Sequence, residues 1–239
     1  MKSKKMKLTP QTLYQTLLEN FGKQNWWPMD KSYHKKNDSD PRFETIIGAI
    51  LTQNTAWLNV EKALDNLKSE NIMDIKKISD IDIKLLQKMI KPSGFFNQKA
   101  KRLKNIASHL HNNYQDDLDC FFSRDLYEIR EELLSLNGIG PETADSILLY
   151  AGGMPIFVVD AYTKRICKRL PLDTNISYDE IQQYFERSIL KEHSKKEIAQ
   201  IYNELHALIV RLAKNHCKKK PECSKCPLQK HCMFKKTIT

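Results

Sequence analysis

Four of the six cysteines, Cys217, Cys223, Cys226 and Cys232, crowd into the C-terminal segment with the spacing C-x5-C-x2-C-x5-C. A disulfide scaffold would spread its cysteines through a small secreted chain, whereas clustered thiols point to a metal. Thiolates suit soft metals, so these four admit either zinc or an iron–sulfur cube. Zinc sites usually pair two short knuckles, and this array has one. Lys214, Lys218, Lys219, Lys220, Lys225 and Lys230 surround the ligand positions, as a solvated basic face or as cations presented to phosphate. Cys120 and Cys167 stand apart and are expected to be buried or half-buried packing residues.

Three further groups carry potential chemistry. In Leu136-Asn137-Gly138-Ile139-Gly140, the Gly138-Ile139-Gly140 turn lies between helical patterns at 126–134 and 143–151. Without Cβ atoms such a turn brings backbone N–H groups close to an anion, and the next helix adds its positive dipole end. The same pattern also makes an ordinary interhelical turn. Asp160 closes the apolar run Ile156-Phe157-Val158-Val159. An aspartate there is a helix N-cap by default, and in a cleft it can steady a developing cation or orient water. Lys164 follows one turn later. Trp26-Trp27-Pro28 sets two of the three tryptophans side by side, and their indoles cannot both face one helix side. One is expected in the core. The other offers a flat surface that attracts a cationic aromatic guest.

Helices must position these groups. Asp40-Pro41 reads as an N-cap with proline at the first helical position, followed by the apolar stripe Phe43, Ile46, Ile47, Ile50, Leu51. Val60, Ala63, Leu64 and Leu67 form another stripe, as do Leu103, Ile106, Ala107 and Leu110. Ser177 with Glu180 reads as a capping box, and Lys196–Ala213 as the longest helix. No segment alternates with period two, and glycine is scarce at 7 of 239 residues. The fold class is therefore all-α, with one sizeable core or two lobes sharing a cleft. The polar stretch Lys31–Asp40 reads as a loop, and 71–82 as short helices.

A net charge of +10 favours a polyanionic partner, nucleic acid or an anionic membrane. No apolar run approaches the roughly 20 residues that span a bilayer. Lys2-Ser3-Lys4-Lys5 precedes no apolar stretch, so it reads as a disordered basic tail and not as a secretory signal.

Taken in order, several segments resemble the endonuclease III superfamily of helix-hairpin-helix DNA glycosylases. Gly48-Ala49-Ile50-Leu51-Thr52-Gln53-Asn54-Thr55 is similar to its DNA-inserting segment, and Gly94-Phe95-Phe96-Asn97-Gln98-Lys99-Ala100 to its second intercalating loop. The Gly138–Gly140 hairpin, the Gly152-Gly153-Met154-Pro155 loop and Asp160 match its hairpin, Gly/Pro-rich loop and catalytic aspartate. The cysteine array completes a likeness covering roughly residues 40–232.

The resemblance implies a two-lobed fold, with residues 1–39 and 151–239 in one lobe and 40–150 in the other. It implies a C-terminal 4Fe-4S cluster loop on the four cysteines, although the family array is C-x6-C-x2-C-x5-C and the first gap here is one residue shorter. It makes damaged double-stranded DNA the partner, with base excision as the activity. Gln53 and Phe95 are the expected gap-filling and wedging residues. Bifunctional members carry a nucleophilic lysine where this chain has Glu142, which implies a monofunctional glycosylase using water and Asp160. Lys164 as a replacement amine would keep a bifunctional glycosylase/lyase for oxidised pyrimidines as the alternative. A non-enzymatic damage-binding module is the third reading, which Asp160 argues against.

Phe-Gly-x3-Trp-Trp-Pro followed by Gly-Ala-Ile-Leu-Thr-Gln-Asn-Thr is most similar to the branch acting on 3-methyladenine. The pocket would then comprise Trp26, Trp27, Pro28, Phe43 and Trp57. That branch can lack the cysteine array, so its presence here is a departure. A monomer in the cytoplasm of a prokaryote, close to the nucleoid, is the expected state.

Overall fold

The computed structural model describes residues 8–172, 177–194, 196–232 and 234. The basic tail Lys2–Lys5 lies outside them. Among the described residues every regular element is helical. In chain order these are α1 (Pro10–Phe21), α2 (Lys31–Asn37), α3 (Pro41–Leu51), α4 (Trp57–Ser69), α5 (Ile75–Asp80), α6 (Ile83–Met89) and α7 (Phe96–Tyr114). There follow α8 (Leu118–Phe122), α9 (Leu126–Ser135), α10 (Pro141–Ser146), α11 (Ala161–Arg169), α12 (Tyr178–Leu190) and α13 (Ile198–Asn215). A 3₁₀ turn at Lys91–Ser93 leads towards α7, and α10 runs on into a π-helical turn, Ile147–Ala151. Among the described residues no helix is long and apolar enough to cross a membrane.

Side-chain caps set many helix starts. Asp30, Asp40, Asp74, Asp82, Asp117, Asp125 and Asp160 each accept a backbone N–H from the first turn that follows. Each such cap contributes about 0.5–2 kcal/mol relative to alanine. Ser177 likewise accepts the N–H of Glu180 and its hydroxyl donates to the Glu180 carboxylate.

The chain divides into two compact units, one from the segment ending at Trp26 together with the segment starting at Pro155, the other from Trp27–Met154. In the first, α13 packs against α1 and α11, and Ile198, Tyr202, Leu205, Ile209 and Leu212 are buried. In the second, α7 is covered by α3, α5 and α6, and Phe43, Ile46, Ile47, Ile50 and Leu51 of α3 are all buried.

Residues 31–40 are not the loop that their polarity suggests. Asp30 accepts the Tyr33 N–H at 3.0 Å to start α2, and Asp38 closes it with φ 48°. His34, 3% exposed, places Nε2 2.8 Å from Glu44 Oε2 and Nδ1 2.8 Å from Ser39 Oγ. One buried histidine thus holds an otherwise solvated helix, a tertiary effect that periodicity does not register. The same contact keeps α2 with Glu44, so the unit begins at Trp27 rather than at residue 40. Its other end runs to Met154, whose N–H donates to Leu148 O at 3.0 Å. Cys167 is buried, but Cys120 is exposed on α8 and fills no core position.

Candidate active site and DNA-binding loops

In the unit Trp27–Met154, the turn after α9 is shaped by Gly138. Its φ is 87°, and a Cβ there would stand 2.2 Å from Arg102 Nε. Ile139 is 5% exposed and anchors the turn in the core, whereas Gly140 is exposed with open space around it. Gly140 leads directly into α10, whose first turn carries the exposed Glu142.

Gln53 is committed to this hairpin. Its Nε2 donates to Thr143 Oγ1 at 2.8 Å and to Gly138 O at 3.1 Å, and its Oε1 accepts from Arg102 Nη1. Both ends of the amide are therefore occupied. The next residue, Asn54, is exposed and left-handed with φ 54°. Sequence reasoning passed over Asn54, although asparagine is enriched at positive φ beyond a helix end. Phe95 is 64% exposed with φ 46° at the start of α7. Lys99, 1% exposed, joins the two segments, donating from Nζ to Leu51 O at 2.7 Å and Ser93 O at 2.7 Å. Burial, with Arg102 adding, pulls its ammonium down to about 8.

The two tryptophans part company. Trp27 meets the Trp57 ring at 5.1 Å and 85°, and the Tyr150 ring at 5.1 Å. Gly48 makes this possible, since a Cβ on it would come within 3.0 Å of Trp27 Cζ2. Phe43 is 1% exposed and belongs to the core stripe of α3, so it has no open face for a ligand. Pro28 is exposed and lines, with Met29, Trp57 and Leu58, a cavity of about 450 Å³ that also carries Asp30, Glu44, Glu61 and Lys68.

Trp26 belongs to the other unit, where its ring lies 6.2 Å from that of His206. There the segment before α11 is pinned by the Phe157 N–H donating to Glu186 Oε1 at 2.9 Å and Gln182 Nε2 donating to Phe157 O at 2.7 Å. Asp160, 8% exposed, caps α11 by accepting the Thr163 N–H on Oδ1 at 2.6 Å. Its Oδ2 is 3.6 Å from His206 Nε2. Burial alone would raise this carboxyl, but His206 and Thr163 outweigh it and hold it below the usual carboxylate range. A buried carboxylate kept ionised is what stabilisation of a cationic intermediate requires.

Residues 47–191 match the family described as the HhH-GPD superfamily base excision DNA repair protein. The chain belongs to the HhH-GPD superfamily of DNA glycosylases. It is 44% identical to a Methanocaldococcus jannaschii protein whose name assigns it to the DNA repair glycosylases, over 93% of this chain and 95% of that one. It is 30% identical to endonuclease III of Sulfolobus acidocaldarius, over 80% of this chain and 82% of that one. Its fold is similar to that of H. pylori 3-methyladenine DNA glycosylase bound to 1,N6-ethenoadenine, with TM-score 0.70 and 31% identity over 87% of this chain and 98% of that one. As a DNA glycosylase the protein is a hydrolase of N-glycosyl bonds, and the non-enzymatic reading falls away.

Two other charged residues that the sequence singles out, Glu142 and Lys164, are exposed. Glu142 is solvent-facing at the start of α10. Lys164 is exposed and its Nζ stands 5.7 Å from the centre of the Tyr178 ring, while the side chain beside Asp160 Oδ2 is that of His206, at 3.6 Å. The sequence singles out Asp160 but not His206, because a histidine within an apolar helix looks like ordinary packing.

The four C-terminal cysteines of the glycosylase form no disulfide and line one small cavity with Arg169, His216 and Phe234. Burial raises the Cys226 thiol, and the charges of Cys217, Cys232 and Cys223 raise it further. Arg169 Nη1 lies 3.2 Å from Cys217 Sγ and donates to Lys218 O at 2.7 Å. Among the described residues no group of His, Cys, Asp and Glu is drawn together as it would be around one metal ion. The surrounding lysines are exposed, and Lys218 pairs with Glu222 at 2.6 Å.

Proposed function

We propose that this glycosylase is monofunctional and excises N-alkylated purines, of the 3-methyladenine class, from duplex DNA by hydrolysis. The observation that carries the reading is the buried, ionised Asp160, combined with a carboxylate, Glu142, where the resemblance puts the nucleophilic amine of bifunctional members.

The target nucleotide leaves the stack, as chemistry on a base inside a duplex requires. The glycosidic C–N bond then breaks and its electron pair departs with the base. Positive charge develops on the sugar, where the Asp160 carboxylate stabilises it. Water adds at C1′ and gives its proton to that carboxylate. A purine alkylated at a ring nitrogen is cationic, so the departing electron pair neutralises it. Such a leaving group needs neither an amine nucleophile nor strong protonation. The Trp27 indole supplies stacking surface, which favours a cationic purine over a neutral pyrimidine. The 3-methyladenine glycosylase relative supports this substrate class.

The hairpin Gly138-Ile139-Gly140 takes phosphate through its backbone, and the net charge of +10 strengthens a salt-dependent grip on damaged DNA. Phe95 and Asn54 enter the duplex, the first as an apolar wedge and the second at the gap left by the extruded base. The enzyme acts as a monomer in the cytoplasm of a prokaryote.

The four cysteines fit a 4Fe-4S cube better than zinc. Each would bind a separate iron, and the four thiols line one cavity. Arg169 against Cys217 offsets thiolate charge. When bound, the cluster would supply covalent cross-linking of the C-terminal loop that presents Lys218, Lys219, Lys220 and Lys225 to phosphate.

Free-base release from a panel of duplexes tests the substrate. Excess release of 3-methyladenine supports the reading, and release of thymine glycol without any methylated purine refutes it. A glycosylase/lyase would instead leave a borohydride-trapped adduct, lost on Lys164→Ala.

A further inference from the structure

The glycosylase buries a second titratable group beside its carboxylate. His206 is 5% exposed on α13, a helix whose other buried residues are mostly apolar. Its Nε2 points at Asp160 Oδ2 across 3.6 Å. The ring is held edge-on by Trp26, at 6.2 Å and 66°, and by Phe157, at 6.5 Å and 85°. Phe157 is itself stacked on Phe185 at 4.6 Å, with its backbone clamped by Gln182 and Glu186. The imidazole therefore has little freedom to turn away.

The two carboxylate oxygens have separate duties. Oδ1 is consumed by the Thr163 N–H, which fixes the carboxylate to the first turn of α11. Oδ2 remains for chemistry, and His206 is the side chain within ion-pair reach of it. We propose that His206 is a positioning residue for Asp160, donating toward Oδ2 so that the buried carboxylate stays ionised and keeps its aim. This rests on the reading of Asp160 as the catalytic carboxylate. A separation of 3.6 Å is loose for a hydrogen bond, as unliganded active sites often are before they tighten around the transition state.

The neighbouring ionisable groups do not take this place. Cys167 on α11 is pushed up to about 12, by burial first and by the Asp160 charge second, so it stays a neutral thiol. Glu186 of α12 is taken up by the Phe157 N–H, and Glu204 of α13 by the Gln24 N–H. Tyr202 directs its hydroxyl to Glu186 O at 3.3 Å. Without His206, desolvation of Asp160 would be opposed only by hydrogen bonds from Thr163.

The test compares single-turnover excision from methylated duplex, across pH, for wild type, His206→Phe, His206→Gln and Asp160→Asn. For His206→Phe the acid limb should move up by roughly 1–3 pH units, since an opposite charge at this range shifts a carboxyl by that much. The plateau rate should fall about tenfold or more with duplex affinity unchanged. His206→Gln, which keeps a donor, should recover part of both. Carboxyl carbon NMR of Asp160 in wild type and His206→Gln reads the same shift without turnover, and serves if His206→Phe does not fold. An unmoved acid limb and an unmoved Asp160 titration overturn the proposal while leaving Asp160 catalytic. Full activity in Asp160→Asn overturns the catalytic reading, and this proposal with it.

Discussion

Gln53 donates its side-chain amide to the Thr143 hydroxyl at 2.8 Å, tying the end of α3 to the first turn of α10. The residue that the family pattern offers for insertion into DNA thus has its amide bonded to Gly138, Thr143 and Arg102. The exposed Asn54 beside it is the residue we propose to enter the duplex.

Gln53→Ala should lower stability by about 1–3 kcal/mol, because the Thr143 and Gly138 partners lose their donor. Asn54→Gly, which keeps the left-handed backbone accessible, and Phe95→Ala should leave Tm nearly unchanged and weaken binding to a lesion duplex more than to undamaged DNA. Thermal melts and fluorescence titrations separate the two behaviours. Equal effects of all three on Tm would remove the division of labour.

Lys99→Met should destabilise by a similar margin, since it strips donors from the buried Leu51 and Ser93 carbonyls. Both inserting segments hang on those carbonyls, so loss of lesion preference should accompany the lower Tm. A variant with normal Tm and normal lesion preference would contradict this.

Asp160→Asn should retain affinity for a lesion duplex and lose excision by orders of magnitude, as expected when charge stabilisation of a transition state is removed. The sign of the pH dependence follows from the lowered carboxyl. Asp160 is ionised above its depressed folded value, so excision should hold constant as pH falls through the ordinary aspartate range and fail only below it. A stopped assay with short acid pulses reads this. A limb near pH 5 or above would show that burial, not His206 and Thr163, governs the group.

Gly48→Ala should displace the Trp27 indole, because its new Cβ would start 3.0 Å from Trp27 Cζ2. Excision of 3-methyladenine should fall by roughly ten- to hundred-fold in Trp27→Ala, the scale of about 1–3 kcal/mol per stacked base. Gly48→Ala should do the same in part. Undisturbed rates in both would exclude Trp27 from the pocket.

Purified protein should be yellow-brown with about four irons per chain, as a cube on four cysteines requires. Removing iron, or Cys226→Ser, should loosen the C-terminal loop and weaken duplex binding before it slows the chemical step. Stoichiometric zinc without iron after anaerobic purification would replace the cube with a zinc site.

By itself the sequence determined most of the helices, the caps at Asp40, Asp160 and Ser177, and the order of motifs. Those follow from local rules: apolar residues at helical spacing, an aspartate or serine before a first turn, a Gly-x-Gly break between two stripes. The cysteine array was legible for the same reason, whereas Asp160 read locally as an N-cap and took its catalytic reading from the family resemblance. Tertiary structure decided everything that depends on a partner far along the chain. α2 exists because His34 meets Glu44, and Gln53 is scaffold because Thr143 and Arg102 saturate its amide. Trp26 and Trp27 were assigned to separate units although adjacent in sequence. His206 became visible only when folding set α13 beside the Asp160 cap, 46 residues away in the chain (206 − 160 = 46). Local spacing reports which backbone conformation is favourable, but not which side chain will find its hydrogen-bonding capacity spent once the core has closed.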